Sequence, residues 1–322
     1  MGVNLKDIIP KEGIRLEALD GKVLAIDAPN TVYQFLSSVR QPDGTPLMDS
    51  HGNVTSHISG LFYRTVRFIG SGIKPVYVFD GKPPELKREE IERRRGLKEE
   101  SRAKYETAMA EGRTEDARKY AMRTSRFTKE MAEESKELLG FMGVPYVQSP
   151  AEGEAQCSHM CQRCDAWAVA SQDYDALLLG APRLVRGLAS SGNPEIEMIK
   201  LDEALKGLGV SRSQLIDIAI LVGTDFSPGV KGIGPKKALK AVREGNVGSI
   251  KVDFDMDAAR EIFLHPEVTE DYKIEWKHPD VESLVSFLCE KHDFSPKRVR
   301  STAGNLEAAL KRFSQKSLDS WF

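Results

Sequence analysis

Residues 149–179, SPAEGEAQCSHMCQRCDAWAVASQDYDALLL, contain two pairs of acidic residues. Glu152 and Glu154 stand at the predicted first turn of a helix, where the helix dipole alone would favour acidic side chains. Asp173 and Asp175 follow a short apolar run, residues 166–171, which is typical of a buried parallel strand. Two carboxylates beside such a strand repel each other unless a cation lies between them. Because ligands bind beyond the carboxyl ends of strands in open α/β sheets, this unit predicts a ligand site there.

Two further predicted strands also end in an acid. The runs KVLAIDA and KPVYVFD deliver Asp27 and Asp80, and Asp225 follows a predicted helix in GTDF. A single Asp after a strand is ordinary turn chemistry, but three strands sharing this feature, with the Glu pair, are not explained by turns alone. Carboxylates without His or Cys suit hard cations such as Mg²⁺ or Mn²⁺. Seven carboxylates are more than one ion needs, so two ions are predicted. The predicted ligands of two Mg²⁺ ions, which Mn²⁺ can replace, are Asp27, Asp80, Glu152, Glu154, Asp173, Asp175 and Asp225.

Composition limits the class of protein without naming a partner. The chain has 322 residues, with 46 Lys and Arg against 48 Asp and Glu, so any nucleic-acid surface requires charge that is segregated on the molecule. No signal peptide and no apolar run of ~20 residues are found, so we expect a soluble intracellular protein that contacts no membrane.

Three of the four cysteines lie close together around His159. Zinc binding is one interpretation, although no second Cys pair follows at the spacing of a structural zinc site. At positions i, i+4 and i+7, Cys157, Cys161 and Cys164 would instead share one buried helix face, and core packing is the favoured interpretation.

Residues 85–130 are strongly charged and predict exposed helices. Lys87, Arg94, Lys98 and Arg102 recur at intervals of seven and four, so they would lie along one helix face. A solvated charged face is one interpretation. The other is an insertion that projects over the acidic sheet edge and presents cations to phosphates.

A second DNA-binding pattern occupies residues 230–238. The spacing matches a helix-hairpin-helix, in which Gly232 and Gly234 form a tight turn and Pro235 begins the next helix. Lys236 and Lys237 flank exposed helix amides, a combination that binds phosphates without reading sequence, although a Gly-rich helix cap is the alternative.

Other segments complete the predicted fold. Thr55 is a possible cap of a helix with apolar residues from Ile58 to Ile69, residues 185–199 predict a β-hairpin, and a helix is expected from near Ser211 to Gly223. The remainder to residue 313 is expected to be helical and packed. The end of the chain, QKSLDSWF, predicts an apolar plug that docks on a partner or on the protein itself. The residues of this segment that we expect to bind are Gln315, Leu318, Trp321 and Phe322.

In combination, six motifs resemble a flap endonuclease of the structure-specific 5′ nuclease family, and the resemblance covers essentially the whole chain. They are VLAIDAPNTVYQFL, HISGLFYRTVRF, KPVYVFDGKPPELK, SPAEGEAQC, ASQDYDALLLG and LVGTDFSPGVKGIGPKKAL. The chain stops at the terminal peptide, without the basic tail of eukaryotic members, so it resembles archaeal members. The expected location is therefore the cytoplasm or nucleoid, and the nucleus only for a eukaryotic source.

The resemblance implies roles for the residues already singled out. The seven carboxylates would hold the ions, Lys87 and Arg94 would contact the scissile phosphate, and Tyr33 would stack on a base near it. The Gly-rich turn would also hold a monovalent cation, and the terminal peptide would bind the sliding clamp (PCNA). The expected DNA contacts are Arg40, Gly232, Gly234, Lys236 and Lys237.

The sequence therefore predicts an α/β fold with a central, mostly parallel sheet and helices on both faces. We expect one nuclease domain, residues 1–313, made of an N-terminal part (1–84), a helical arch (85–130), an internal part (131–225) and a helix-hairpin-helix with C-terminal helices (226–313). Residues 314–322 are the clamp-binding tail. We expect a monomer that cuts branched DNA with a 5′ flap by two-metal hydrolysis in replication and repair. We also expect 5′–3′ exonuclease activity. The alternatives are a bubble-cutting relative with the same chemistry and a non-catalytic adaptor between DNA junctions and the clamp.

Overall fold

The computed structural model describes residues 2–41, 44–113, 115–116, 119–120, 127–189 and 195–319, with no side-chain description for residue 89 or residues 314–319. A seven-stranded sheet in the order β1-β7-β6-β5-β2-β3-β4 forms its centre. Its strands β4, β3, β2, β5 and β6 run parallel, and β7 and β1 join antiparallel at one edge. The strands are β1 Glu12–Ile14, β2 Val23–Asp27, β3 Lys74–Phe79, β4 Tyr146–Gln148, β5 Ala168–Ala170, β6 Arg183–Arg186 and β7 Ile196–Lys200.

Successive residues of the central strands enter different hydrophobic cores. Ala25 and Val76 pack in the core on one face of the sheet, whereas Leu24, Ile26 and Tyr77 pack in the core on the other. This alternation follows from the two-residue period of a strand, and burial on both faces explains why these runs are almost continuously apolar. Helices therefore cover both faces, and the predicted fold class is confirmed.

Helices occupy much of the remaining described chain. Their bounds are α1 Ala28–Ser38, α2 Ser56–Gly70, α3 Arg88–Ala110, α4 Lys129–Phe141, α5 Gly153–Gln162, α6 Asp175–Leu178, α7 Leu201–Leu208, α8 Arg212–Val222, α9 Pro235–Arg243, α10 Met256–Leu264, α11 Val281–Val285 and α12 Pro296–Asp319. Short 3₁₀ helices lie at Leu16–Leu19, Glu85–Lys87 and Val247–Ser249, and a π-helix at Ser286–Glu290. The predicted helix near Ser211 is confirmed, because Ser211 and Gln214 form a capping box at its start. The predicted hairpin is confirmed in the antiparallel pairing of β6 with β7, while its turn falls outside the described residues.

Two local predictions were wrong in part. Thr55 precedes α2 but its side chain makes no cap hydrogen bond. Cys157 and Cys161 are buried in the core, whereas Cys164 is exposed with φ 65°. Since α5 ends at Gln162, the helical spacing that would have placed the third thiol on the core face does not reach it.

The segment expected to be helical throughout also contains an irregular stretch, residues 265–280. Backbone and side-chain bonds hold it in place: Trp276 Nε1 donates to the Pro75 carbonyl at 3.0 Å, and the Lys277 N–H donates to the Gly143 carbonyl at 2.8 Å. At the end of the chain, α12 continues without a break through the predicted boundary at residue 313. Trp321 and Phe322 lie outside the described residues.

None of the helices in the described part of the chain has the length and apolar character that a membrane span requires.

Candidate active site

Seven carboxylates, which we call the acidic edge, gather where the parallel strands end. Asp27 is the last residue of β2, Asp80 follows β3, and the Asp173 and Asp175 pair follows β5. The other three come from the start of α5 and the loop after α8. Each of these carboxylates interacts electrostatically with at least two of the others. The members are Asp27, Asp80, Glu152, Glu154, Asp173, Asp175 and Asp225.

Burial and like charge raise the pKa values of five of these carboxylates, which are Asp27, Asp80, Glu152, Glu154 and Asp175. Burial, followed by the neighbouring Asp80, raises the pKa of Asp27 well above its usual range. The pKa of Glu154 rises in the same way through burial and then Asp175. Burial and then Asp173 raise the pKa of Asp175 to about 7. Adjacent buried carboxylates of this kind are costly to ionise without a cation among them.

Two side chains of the charged insertion reach the acidic edge. The ammonium of Lys87 forms an ion pair with Glu152 and lies 3.5 Å from Asp225 Oδ2, while Arg94 pairs with Asp225. Burial would lower the pKa of Lys87, but the carboxylates, Glu152 first, outweigh it and raise that pKa above its usual range. These cations neutralise part of the charge that the carboxylates concentrate.

The remaining two basic residues of the predicted stripe differ from each other. Lys98 Nζ donates to the Tyr33 hydroxyl at 2.6 Å and lies 4.8 Å from the centre of its ring. Arg102 is exposed and pairs only with Glu106, one turn further along α3, in the contacts described. The interpretation as a face turned towards the acidic edge therefore fits Lys87 and Arg94, and the solvated-face interpretation fits Arg102. Lys98 contacts Tyr33 instead.

The residues of the acidic edge fit divalent cations by their chemistry. Glu154 Oε1 is buried and accepts no hydrogen bond in the described structure, so an acceptor oxygen remains unsatisfied among like charges. All seven donors are carboxylates, the ligand type of Mg²⁺ and Mn²⁺. Within the described ranges, however, no three His, Cys, Asp or Glu side chains are already arranged as a metal site. Glu152 and Asp225 instead contact Lys87 and Arg94 directly.

Sequence analysis missed the groups that orient these carboxylates. Asp173 Oδ2 accepts from Asn30 Nδ2 at 2.9 Å, and Asp175 Oδ1 accepts from the backbone N–H of Val3 at 3.0 Å. A Cβ on Gly2 would lie 2.6 Å from Asp175 Oδ2, so the segment before β1 requires glycine there. The sequence contains one indication of this role. Asn30 stands three residues after Asp27, the spacing at which a backbone N–H donates to an N-cap side chain, and its N–H does donate to Asp27 Oδ1.

The Gly-rich turn lies at the start of α9. Gly232 has φ 83°, whereas Gly234 is extended with φ −99° and caps the helix, so only Gly232 requires the left-handed region. A Cβ on either glycine would meet no atom within 4 Å, so this face of the turn is open. Lys236 and Lys237 are exposed beside it, and Lys237 Nζ donates to the Gly232 carbonyl at 3.0 Å.

Arg40 and the terminal peptide are placed differently from the turn. Arg40 Nε donates to the Leu36 carbonyl and Nη1 to the Gly44 carbonyl, which ties the end of α1 to the loop that follows. Gln315 and Leu318 lie in the last turns of α12, with side chains outside the described part of the chain.

Comparisons with known proteins define the class. Residues 1–101 match the XPG N-terminal domain and residues 143–225 match the XPG I-region, which makes the protein an XPG-type nuclease. The structure of a flap endonuclease-1 from Methanococcus jannaschii is similar with a TM-score of 0.82 and 44% identity, over 97% of this chain and 99% of that chain. The catalytic core of Rad2 in complex with a DNA substrate is similar with a TM-score of 0.71 and 27% identity, over 92% of this chain and 96% of that chain.

Sequence similarity narrows the class to a family. A flap endonuclease 1 of Pyrococcus horikoshii is 50% identical over an alignment of 338 positions, which covers 100% of this chain and 98% of that protein. The chain therefore belongs to the flap endonuclease family, whose members are metal-dependent, structure-specific nucleases of DNA replication and repair.

Proposed function

We propose that this nuclease hydrolyses one phosphodiester of branched DNA at the junction between a duplex and its 5′ flap, with two Mg²⁺ ions, which Mn²⁺ can replace. The observation that carries the proposal is the acidic edge itself, with Lys87 and Arg94 of the charged insertion in contact with it. A cluster of like charges, several of them buried, is unfavourable for stability alone, so its presence points to use in chemistry.

The carboxylates and the two cations would have complementary roles. The seven carboxylates would hold two divalent ions, which when bound activate water and stabilise charge on the scissile phosphate. Lys87 and Arg94 would exchange their carboxylate partners for that phosphate and offset the negative charge that develops there. Tyr33 is half-buried and would stack on a base, once Lys98 leaves its ring face.

The duplex would bind through its backbone. The open turn at Gly232 and Gly234, with Lys236 and Lys237, would contact phosphates, and its carbonyls would hold a monovalent cation. Arg40 would support the loop after α1 against the duplex. Affinity should then fall steeply with salt, by roughly 10³-fold or more between 50 and 200 mM if six or more phosphates are contacted. An affinity for flap DNA that does not change with salt would contradict this part of the proposal.

The parts of the chain would divide the work as the sequence suggested. Residues 85–130 would form an arch over the flap, residues 226–313 would carry the duplex contacts, and residues 314–322 would bind the sliding clamp (PCNA), with the nuclease acting as a monomer. Deletion of Trp321 and Phe322 should remove clamp affinity and leave cleavage without the clamp unchanged. Equal affinity of the truncated and full chains for the cognate clamp would end the tail assignment.

The decisive experiment is single-turnover cleavage of a 5′-labelled flap duplex with Mg²⁺, with EDTA and with Asp173→Ala. We expect cutting at the junction with Mg²⁺, none with EDTA, and a rate at least ~10²-fold lower for the variant, with DNA binding retained. Asp202→Ala, which removes an exposed acid of α7, is the matched control and should cut normally. Tight junction binding without cutting by the wild-type chain would instead favour the adaptor. Blunt and bubble substrates measured in parallel separate flap cutting from exonuclease and bubble-cutting activity.

A further inference from the structure

Asn30 lies between the ends of two neighbouring strands of the acidic edge. Its backbone N–H donates to Asp27 Oδ1 at 3.0 Å, at the end of β2. Its side-chain Nδ2 donates to Asp173 Oδ2 at 2.9 Å, just beyond the end of β5. One residue of α1 therefore contacts two carboxylates of different strands.

The orientation of the Asn30 amide is determined by its other partners. Oδ1 accepts from the backbone N–H of Gln172 at 3.3 Å and from Gln34 Nε2 at 3.0 Å. A backbone N–H can only donate, so the amide oxygen must face Gln172 and the NH₂ group must face Asp173. The flipped amide would place its oxygen against the carboxylate and its NH₂ against another donor, and both contacts would be repulsive.

From these contacts we propose that Asn30 is a positioning residue for the divalent cations, acting through Asp173. Fixing Oδ2 of Asp173 by a hydrogen bond sets the carboxylate plane and leaves Oδ1 directed for a metal ion. Groups that orient metal ligands in this way typically contribute 10- to 100-fold in metal affinity. The inference rests on the proposed metal-dependent function of the acidic edge and adds Asn30 and Gln34 to its parts.

The test measures Mn²⁺ binding to the full chain by electron paramagnetic resonance, without DNA. Asn30→Leu keeps the shape of the side chain and the backbone bond to Asp27 but removes the donor to Asp173. We expect its Mn²⁺ affinity to be about 10-fold lower or more, and Gln34→Leu, which removes one of the two donors to Oδ1, to show a smaller loss. Ser38→Ala, at an exposed position of the same helix whose hydroxyl donates only to the Gln34 carbonyl, should bind Mn²⁺ as the wild type does.

Cleavage provides a second readout. The Mg²⁺ concentration for half-maximal cleavage by Asn30→Leu should rise by the same factor as the Mn²⁺ dissociation constant, while its affinity for flap DNA in EDTA stays unchanged. Unchanged Mn²⁺ affinity in Asn30→Leu would overturn the inference. If that variant does not fold, Gln34→Leu decides in the same way. A wild-type chain that binds Mn²⁺ but does not cut flaps would refute the proposed function, and the Mn²⁺ comparison would still judge Asn30.

Discussion

The molecule contains two polar regions with buried members, and their charges are balanced in opposite ways. The acidic edge collects seven carboxylates, with a buried, unpartnered oxygen on Glu154. The second region, which we call the histidine cluster, comprises Asp49, His57, Glu134 and His292. Here His57 Nε2 lies 3.1 Å from Glu134 Oε2. His292 Nε2 lies 3.7 Å from Glu134 Oε1, and His292 Nδ1 lies 3.9 Å from Asp49 Oδ2.

The difference is visible in the pKa values. The bond from His57, the largest influence, lowers the pKa of Glu134, so the fold favours its charged form. Burial and neighbouring acids do the reverse to Asp27 and Asp175. In the histidine cluster each acid has a neighbouring imidazole, although Nδ1 of His57 and both ring nitrogens of His292 are buried without a hydrogen-bond partner in the described structure. The acidic edge gathers acids and requires a cation from outside. Buried charge therefore indicates a functional site mainly where the protein leaves it unbalanced.

The largest expected effect concerns the basic side chains that form ion pairs with the acidic edge. Lys87→Met keeps the apolar stem and removes the charge, so the single-turnover rate of flap cleavage should fall by ~10²-fold while DNA affinity is retained. Arg95→Ala removes an exposed charge that pairs with Glu99 on the same helix, and should leave the rate unchanged. Weakened DNA binding with a normal rate would reassign Lys87 to anchoring the substrate.

The next prediction tests the balanced region. Glu134→Ala leaves the buried His57 Nε2 without its partner, so the free energy of unfolding in urea should fall by about 1–3 kcal/mol. Glu133→Ala, an exposed neighbour, is the control, with a change within about 0.5 kcal/mol. Equal stabilities of the two variants would show that the histidine cluster contributes nothing to the fold.

The acidic edge should respond with the opposite sign. In EDTA, Asp175→Asn removes a charge that the fold disfavours and should raise the free energy of unfolding at pH 7 by on the order of 1–2 kcal/mol. Because the folded pKa of Asp175 is raised to about 7, its wild-type contribution is present below the ordinary value of 3.8 and is lost as pH rises to about 7. The gain in the variant should therefore vanish near pH 4. A variant less stable than the wild type at pH 7 would show that the charge of Asp175 is not unfavourable in the folded state.

The smallest expected effect is the pH dependence of the histidine cluster. Burial lowers the pKa of His292 below the ordinary 6.5, so its contribution to stability is present above 6.5 and is lost as pH falls through the folded value. Urea unfolding of the wild type should therefore lose stability between pH 7 and 5 by up to about 1 kcal/mol more than that of His292→Gln. Parallel pH curves for the two proteins would exclude this contribution.

Local pattern accounted for much of the fold and for the residue types of the candidate site. Strands β2, β3 and β5 are apolar runs that stop at an acid, and Ser211 carries a recognisable capping signal, so each element could be predicted from its own residues. The error at Cys164 has the same local origin, because helical spacing holds only as far as the helix, and α5 ends at Gln162.

Several of the contacts that sequence analysis missed join distant segments. His57 and Glu134 are 77 residues apart, and Asn30 and Asp173 are 143 apart. No periodicity encodes such pairs, because they depend on the order of strands in the sheet and on the packing of helices against it. The same holds for Lys87, whose reach to Asp225 is set by where the insertion crosses the acidic edge.

Residue types and their local geometry follow from the amino-acid sequence: carboxylates at strand ends, a basic stripe on one helix and a glycine turn before another. These depend on short-range sterics and on the periods of strand and helix. The three-dimensional arrangement sets which carboxylates share one edge, which cations reach them and which side chain donates to Asp173. Those outcomes depend on long-range packing, in which one register shift or one different crossing would pair the same residues differently.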